Sequence, residues 1–141
     1  MELALYNTVL SGMALDGKSF FYVNPLSVVP SACHADSRLQ HVKTVRQKWF
    51  GCACCPPNIA RIVSSIAAYA FTENEDTLLT HLYLGGIIRK TFPTGTLTLS
   101  IASDMPWDGH ITITLHADAP VSGTLGFRLP GWCPNPNVTA D

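Results

Sequence analysis

The sequence predicts an α+β fold in which helices in the first half precede antiparallel strands in the second half. Apolar residues recur at helical spacing in residues 2–15 and again in residues 57–70. After residue 77 they instead alternate with polar residues in short runs bounded by Gly, Pro and Asp. Hydrophobic residues make up 47% of the 141 residues and charged residues 13%, a composition that excludes general disorder.

The N-terminal part contains one predicted helix and one short predicted strand. The periodic apolar residues of segment 2–15 predict a helix, and Asp16-Gly17 is the predicted stop signal. Residues 20–23 are aromatic or β-branched and therefore predict a strand. This strand should end at Pro25, because proline has no N–H to donate to a sheet.

A long connection and a second helix follow. Residues 26–51 show no sustained period and predict an irregular segment of the kind that often carries function. After Pro56-Pro57, an apolar stripe with three- and four-residue spacing predicts a helix over residues 57–70. The strands of the second half, which together predict a β-sandwich, are expected at residues 78–84, 97–101, 111–115 and 125–129.

Charge and hydropathy exclude two classes of partner. Nine basic and ten acidic residues give a formal net charge of −1, too little positive charge for a protein that tracks phosphates, so we expect no nucleic-acid partner. Polar residues interrupt every apolar stretch before it reaches membrane-spanning length, so we expect no membrane partner. We expect a soluble, cytoplasmic protein, because no export signal is visible and the adjacent cysteines suggest a reducing compartment.

Three of the five cysteines lie together immediately before the second helix, at Cys52, Cys54 and Cys55. Spacing this tight is poor for a disulfide framework, and packing alone gives no reason to repeat a cysteine at these positions. The cluster therefore favours metal binding or thiol chemistry. The N-terminus of a helix favours a thiolate over a thiol, which would lower the pKa of Cys54 or Cys55. Packing of the cysteines as small apolar side chains remains the alternative.

Two further interpretations of the cysteines remain open. Cys33 could join Cys52, Cys54 and Cys55 in a structural four-cysteine zinc site, which would make the chain a small zinc-binding or interaction module. A thiol redox protein is less favoured, because the C-x-C-C pattern lacks the usual C-x-x-C spacing and βαβ context. Cys133, which follows Gly131-Trp132, is predicted to pack in the β half.

Four segments together resemble the β-L-arabinofuranosidase family, glycoside hydrolase family 127. They are L-Y-N-T-V-L from Leu5, F-Y-V-N-P-L from Phe21, W-F-G-C-A-C-C-P-P-N from Trp49 and F-R-L-P-G-W from Phe127. The resemblance extends over nearly the whole chain, and its C-A-C-C-P-P-N motif is the most specific part.

The resemblance implies both architecture and chemistry. It places residues 1–71 at the C-terminal end of an (α/α)6 barrel that forms the catalytic domain, and residues 72–141 at the start of a β-sandwich, incomplete at both ends. The activity it implies is hydrolysis of terminal β-L-arabinofuranosides with retention, at a zinc-bound cysteine nucleophile. Cys54 matches the nucleophile and a zinc ligand, and Cys55 matches a second zinc ligand. Tyr22 is the candidate for binding the arabinose hydroxyls, and packing as a buried aromatic core residue is its alternative.

The family's remaining zinc ligands and its acid/base glutamate have no match in this chain. The matching Glu-x-Cys segment would precede the first helix, and Glu2 lies inside that helix. We therefore expect a fragment of such a glycosidase that is catalytically silent alone, since general acid/base catalysis typically contributes about 10²–10⁴ in rate. Expected partners are an arabinofuranoside-containing carbohydrate, together with the rest of the barrel or a second copy of the chain.

Overall fold

The computed structural model describes residues 1–25, 27–52 and 54–140 and confirms the α+β class. The chain forms two compact units, residues 1–65 and residues 66–141. The first unit contains helices and irregular backbone, and the second contains one short helix and all the strands. Within the described ranges, no helix is long and apolar enough to cross a membrane.

The first helix is shorter than the predicted helix over residues 2–15, and its central turns are wider than those of an α-helix. Its central part, Ala4–Val9, is a π-helix, and the side-chain amide of Asn7 donates to the Leu3 carbonyl at 2.8 Å. The chain turns at Gly12, so the predicted stop at Asp16-Gly17 is wrong. Gly17 instead lies in a turn with φ +68°, a conformation that glycine adopts without strain.

The predicted strand at residues 20–23 is wrong, because only Phe20 pairs. Phe20 forms isolated antiparallel bridges to Met13 and to Gln47. A β-branched and aromatic run favours a strand only where a partner strand continues the ladder, and this unit offers single bridges. Phe20 nevertheless ties residues 20–22 to the segment around Gln47, which bears on the site described below.

The predicted irregular segment 26–51 is more ordered than expected over residues 27–51, and its first residue lies outside the described ranges. It contains helix α1, Pro30–Ala35, and a 3-10 turn, Ser37–Leu39. Pro30 occupies the first turn of α1, where its missing N–H costs nothing. The Asp36 side chain accepts a hydrogen bond from the Arg38 backbone N–H and caps the 3-10 turn. A six-residue helix has too few turns to show a period, which is why sequence periodicity missed it.

The second predicted helix is confirmed with shifted bounds. Helix α2 spans Cys55–Ser65, and helix α3, Ala67–Ala70, follows after a break at Ile66. The helix therefore begins two residues before the predicted start, and Cys55 is its first residue. Its apolar side chains are half-buried or exposed within the first unit, and none of its residues is buried.

The second unit contains two three-stranded sheets. One sheet has the order β1-β2-β6 and the other has the order β3-β4-β5. The strands are β1, Phe71–Glu73; β2, Thr77–Thr80; β3, Gly86–Phe92; β4, Gly95–Ser103; β5, Ile111–His116; and β6, Thr124–Phe127. Most pairs are antiparallel as predicted, but β2 and β6 are parallel. Gly126 allows this approach, because a Cβ there would overlap the side chain of Leu79.

Sequence patterning missed β1 and β3 and extended β2 too far. β1 contains Thr72 and Glu73, which read as part of a polar break, and β3 contains a lysine at a buried position. The Lys90 ammonium lies 3.1 Å from a Glu73 carboxylate oxygen and donates to the Asn74 carbonyl at 2.5 Å. The ion pair and the hydrogen bond compensate the charge of the buried lysine. It can therefore occupy an inward position of the strand, where a hydropathy pattern predicts an apolar residue.

The core of the second unit lies on the inner positions of its strands. Leu99 in the middle of β4 is completely buried, and it is in register with Ile88 on β3 and Leu115 on β5. Its buried apolar companions are Ala70, Leu78, Leu82, Tyr83, Phe92 and Ile101.

Candidate functional site

The cysteine cluster and Tyr22 come together in the first unit. The Tyr22 hydroxyl lies 2.9 Å from the Cys54 sulfur and 3.7 Å from the Cys52 sulfur. The sulfurs of Cys54 and Cys55 are 3.6 Å apart, and all five cysteines of the chain are free thiols. The three sequence-predicted site residues, Tyr22, Cys54 and Cys55, therefore form one contiguous group, to which the structure adds Cys52.

Aromatic packing holds Tyr22 in place. The ring of Phe50 lies 5.6 Å from the Tyr22 ring and 5.4 Å from the Phe20 ring, measured between centroids, and both pairs are tilted. Such geometry is favourable for aromatic pairs. The bridge from Phe20 to Gln47 fixes the backbone beside Tyr22. The side-chain amide of Asn24 donates to the Thr8 carbonyl at 2.6 Å and secures the following residues.

Helix α2 positions the two adjacent cysteines. Cys54 immediately precedes the helix, and the side-chain amide of Asn58 donates to the Cys54 carbonyl at 2.7 Å. Arg61 in turn donates to the Asn58 side-chain oxygen at 2.8 Å. Pro56 and Pro57 have no N–H, so this helix start offers fewer free backbone donors than most. The helix terminus is therefore a weaker source of thiolate stabilisation than the sequence suggests.

The Tyr22 hydroxyl is the largest influence on the Cys54 thiol. Its hydrogen bond to the sulfur lowers the pKa of Cys54, and the contact with Cys55 lowers the pKa further. The hydrogen bonds of the Tyr22 hydroxyl to the Cys54 sulfur and, second, to the Cys52 sulfur raise the pKa of Tyr22 above its usual range. The pKa of Cys55 is raised, chiefly because its thiol donates to Cys54. Of the two adjacent cysteines, the structure thus favours the thiolate at Cys54.

Replacing Tyr22 with phenylalanine is expected to slow alkylation of Cys54 by iodoacetamide at neutral pH, roughly three- to tenfold. The tyrosine stabilises the thiolate, so its loss raises the pKa of the thiol and moves the midpoint of the rate–pH profile to higher pH. The measurement is the rate of modification at Cys54 by peptide mass mapping, in the presence of a chelator, between pH 5 and 9.

Tyr69→Phe provides the matched control, because Tyr69 is exposed and belongs to the other unit. It should leave the Cys54 profile unchanged. An unaltered profile in Tyr22→Phe would show that the helix terminus, rather than the phenol, sets the reactivity of Cys54.

The geometry of Cys54 and Cys55 fits two positions of a zinc site. With zinc–sulfur bonds of about 2.3 Å, two sulfurs of a tetrahedral site lie about 3.8 Å apart, close to the 3.6 Å between these thiols. Among the described residues, no set of three or more His, Cys, Asp or Glu side chains is grouped to hold a metal ion. The alternative four-cysteine site with Cys33, a buried residue, thus gains no support from the structure.

An aromatic cavity of about 360 Å³ adjoins the cluster. Its size is within the range of small-molecule sites. It is lined by Phe20, Lys48, Trp49, Phe50, Cys52, Pro56, Pro57 and Ala60. The exposed indole of Trp49 and the ring of Phe50 provide flat apolar surfaces, and Cys52 connects the cavity to the Tyr22 hydroxyl.

Comparison with known families agrees with the motifs. Residues 1–68 match the model described as "Beta-L-arabinofuranosidase, GH127 catalytic domain", and residues 77–141 match "Beta-L-arabinofuranosidase, GH127 middle domain". The chain belongs to glycoside hydrolase family 127. The resemblance inferred from the four motifs is thereby confirmed.

Individual family-127 proteins show the same relationship. The chain is 41% identical over 137 residues to a non-reducing end β-L-arabinofuranosidase from Bifidobacterium longum subsp. longum, covering 94% of this chain and 20% of that protein. It superposes on the crystal structure of a family-127 β-L-arabinofuranosidase from Geobacillus stearothermophilus T6 with a TM-score of 0.82 and 48% identity, over 96% of this chain and 21% of that chain.

A second solved structure, a family-127 β-arabinofuranosidase, gives a TM-score of 0.74 and 34% identity, over 93% of this chain and 19% of that one. The chain thus spans about one fifth of the length of the relatives it matches.

The candidate site includes residues to which the sequence analysis assigned no role. Phe50 and Asn58 both belong to the W-F-G-C-A-C-C-P-P-N segment. Only the structure shows that Phe50 packs against Tyr22 and that the Asn58 side-chain amide donates to the Cys54 carbonyl. Cys52 was part of the motif but separate from the predicted metal ligands, and the structure places it on the Tyr22 hydroxyl.

Proposed function

We propose that this family-127 chain supplies the nucleophile and two zinc ligands of a retaining glycoside hydrolase that acts on terminal β-L-arabinofuranosides. The observation that carries the proposal is the 2.9 Å contact between the Tyr22 hydroxyl and the Cys54 sulfur, which favours a thiolate at Cys54. A thiolate at neutral pH is the form of cysteine that attacks an electrophilic carbon. The name of the Bifidobacterium relative supports the choice of sugar.

The reaction proceeds by two displacements. The Cys54 thiolate attacks the anomeric carbon through a transition state with oxocarbenium character, while the bond to the leaving-group oxygen breaks. The product of this step is a thioglycosyl intermediate on Cys54. Water then attacks the same carbon from the opposite face, which releases the sugar with its original anomeric configuration and regenerates the thiolate.

Tyr22 has two tasks in this proposal. Its hydroxyl donates a hydrogen bond to the Cys54 sulfur, and the oxygen of the same hydroxyl can accept a hydrogen bond from an arabinose hydroxyl. A sugar bound in this way would lie against the nucleophile. The contact between Tyr22 and arabinose is taken from the sequence interpretation. The hydrogen bond between Tyr22 and Cys54 is supported by the 2.9 Å distance.

Cys54 and Cys55 are the residues that would hold zinc. Zinc bound there would keep both cysteines in the thiolate form at neutral pH. The separation of the two sulfurs supports this assignment. The remaining ligands belong to the complete site of the family and are assigned to no residue of this chain.

In the part of the chain that the structure describes, no residue is assigned as the acid/base beside Cys54. The groups that shift the pKa of Cys54 are the Tyr22 phenol and the two neighbouring thiols, and among the described residues no carboxylate contributes. Glu73 pairs with Lys90 in the second unit. Without a general acid the leaving group departs unassisted, so the 141-residue chain is expected to be catalytically silent.

A chimera tests the proposal. The segment of the Geobacillus β-L-arabinofuranosidase that superposes on this chain is replaced by the chain, and turnover of an aryl β-L-arabinofuranoside is measured. We expect turnover by the chimera and none by the isolated chain. A folded chimera that binds zinc but leaves the substrate intact would refute the proposed function, and turnover by the isolated chain would refute its silence.

A further inference from the structure

We propose that Cys52 and Cys54 form a reversible redox pair, in which a hydroperoxide converts the two thiols into a disulfide that switches the site off. The formation of the disulfide concerns only this chain's own thiols, whereas its effect of switching the site off rests on the proposed function of Cys54. It assigns a role to Cys52, a site residue that the proposed hydrolysis does not use.

The two thiols share one hydrogen-bond partner. The Tyr22 hydroxyl lies 2.9 Å from the Cys54 sulfur and 3.7 Å from the Cys52 sulfur, so one side chain contacts both sulfurs. Both cysteines are exposed and free, which gives a small oxidant direct access. A low-molecular-weight hydroperoxide therefore needs no opening of the fold to reach Cys54.

Cys52 is a better disulfide partner for Cys54 than Cys55, although the Cys55 sulfur lies only 3.6 Å from that of Cys54. A disulfide requires Cα atoms about 4.4–6.8 Å apart, and neighbouring residues are joined at about 3.8 Å. Cys55 is also the first residue of α2, where Pro56 and Pro57 restrict the backbone. Cys52 lies outside any helix or strand and is separated from Cys54 by one residue, so closure distorts less structure.

The chemistry balances in two steps. The Cys54 thiolate attacks one oxygen of the hydroperoxide, the O–O bond breaks, and Cys54 becomes a sulfenic acid while the oxidant leaves as hydroxide or alkoxide. The Cys52 sulfur then attacks the Cys54 sulfur, and the sulfenic oxygen leaves as water with the Cys52 proton. Two thiols have lost two hydrogens in total, and the hydroperoxide has accepted two electrons.

The oxidised pair blocks both proposed tasks of Cys54. A disulfide sulfur can neither attack the anomeric carbon nor hold a metal ion as a thiolate. A short, exposed disulfide is reduced readily by a dithiol, so the change is reversible. Without Cys52, the sulfenic acid at Cys54 would proceed to sulfinic and sulfonic acids, which thiols do not reduce. Cys52 would thus protect Cys54 from permanent loss.

The test treats the chelator-washed 141-residue chain with limiting hydrogen peroxide and analyses it by intact mass and by mapping of non-reduced peptides. We expect the loss of two hydrogen masses, a Cys52–Cys54 linkage, and full return of both thiols with dithiothreitol. A Cys54 linkage to Cys55, Cys33 or Cys133, or direct formation of sulfinic acid without a disulfide, would overturn the proposal.

Two single variants sharpen the result. Cys52→Ser should give no disulfide and a Cys54 that gains two or three oxygen atoms, with the transient sulfenic acid trapped by dimedone. Cys55→Ser should still form the Cys52–Cys54 disulfide. Protection of Cys54 in Cys52→Ser, or loss of the disulfide in Cys55→Ser, would show that Cys55 is the resolving thiol. Because the readout is mass, the outcome is independent of whether the proposed hydrolysis is correct.

Discussion

Replacing Leu99 with alanine is expected to lower the free energy of unfolding by about 2–5 kcal/mol. Leu99 lies in the middle of the central strand of its sheet and is completely buried. Truncation removes the transfer free energy of the side chain and leaves a cavity on the inner face of the sheet, beside Ile88 and Leu115. The register with Ile88 and Leu115 fixes both flanking strands, so they cannot collapse fully into the space. Urea unfolding followed by circular dichroism measures the change.

Ser100→Ala is the matched control, because the adjacent residue on β4 is exposed. Side chains of neighbouring strand residues point to opposite faces, so this variant leaves the core intact and should change the stability by less than about 0.5 kcal/mol. Leu99→Met conserves volume and should cost less than about 1.5 kcal/mol. Equal losses for Leu99→Ala and Ser100→Ala would show that the core of this unit lies elsewhere.

The features that sequence predicted best depend on local information. Residues 57–70 show a helical period because one face of a helix repeats every three or four residues, and α2 and α3 cover most of that range. Cys52, Cys54 and Cys55 lie within four consecutive residues of the chain, so the family could be recognised from their motif without a fold. The α+β class followed from the same change of period.

The features that sequence missed depend on contacts between distant residues. The parallel pairing of β2 with β6 joins segments separated by the whole of the other sheet, and strand patterning does not specify which strands pair. Lys90 occupies a buried position because it forms an ion pair with Glu73 and donates a hydrogen bond to the Asn74 carbonyl. Because these partners lie outside β3, hydropathy alone did not predict that strand.

The site itself shows the same division. Sequence indicated Cys54 as the nucleophile and credited the helix terminus with its activation, but Pro56 and Pro57 remove donors from that terminus. The largest influence on the thiol is the phenol of Tyr22, 32 residues earlier in the chain. The F-Y-V-N segment that contains Tyr22 was recognised as a motif, yet its hydrogen bond to Cys54 required the structure.

Replacing Cys54 with serine in the chimera is expected to lower kcat for an aryl β-L-arabinofuranoside by at least about 10³-fold. A serine hydroxyl stays protonated at neutral pH, so Tyr22 has no thiolate to stabilise and the first displacement lacks its nucleophile. Turnover measured with zinc present gives the size of the loss. Cys52→Ser is the control under reducing conditions, because the proposed hydrolysis does not use Cys52, and it should retain most of the turnover.

The rate alone does not separate the two tasks of Cys54, since serine also removes a zinc ligand. A slow substrate combined with intact-mass analysis does separate them: the parent chimera should accumulate one sugar residue on the Cys54 peptide, and Cys54→Ser should accumulate none. Cys55→Ser removes a proposed ligand while leaving the nucleophile in place. An adduct on a residue other than Cys54, or turnover by Cys54→Ser within tenfold of the parent chimera, would show that the nucleophile is a different group.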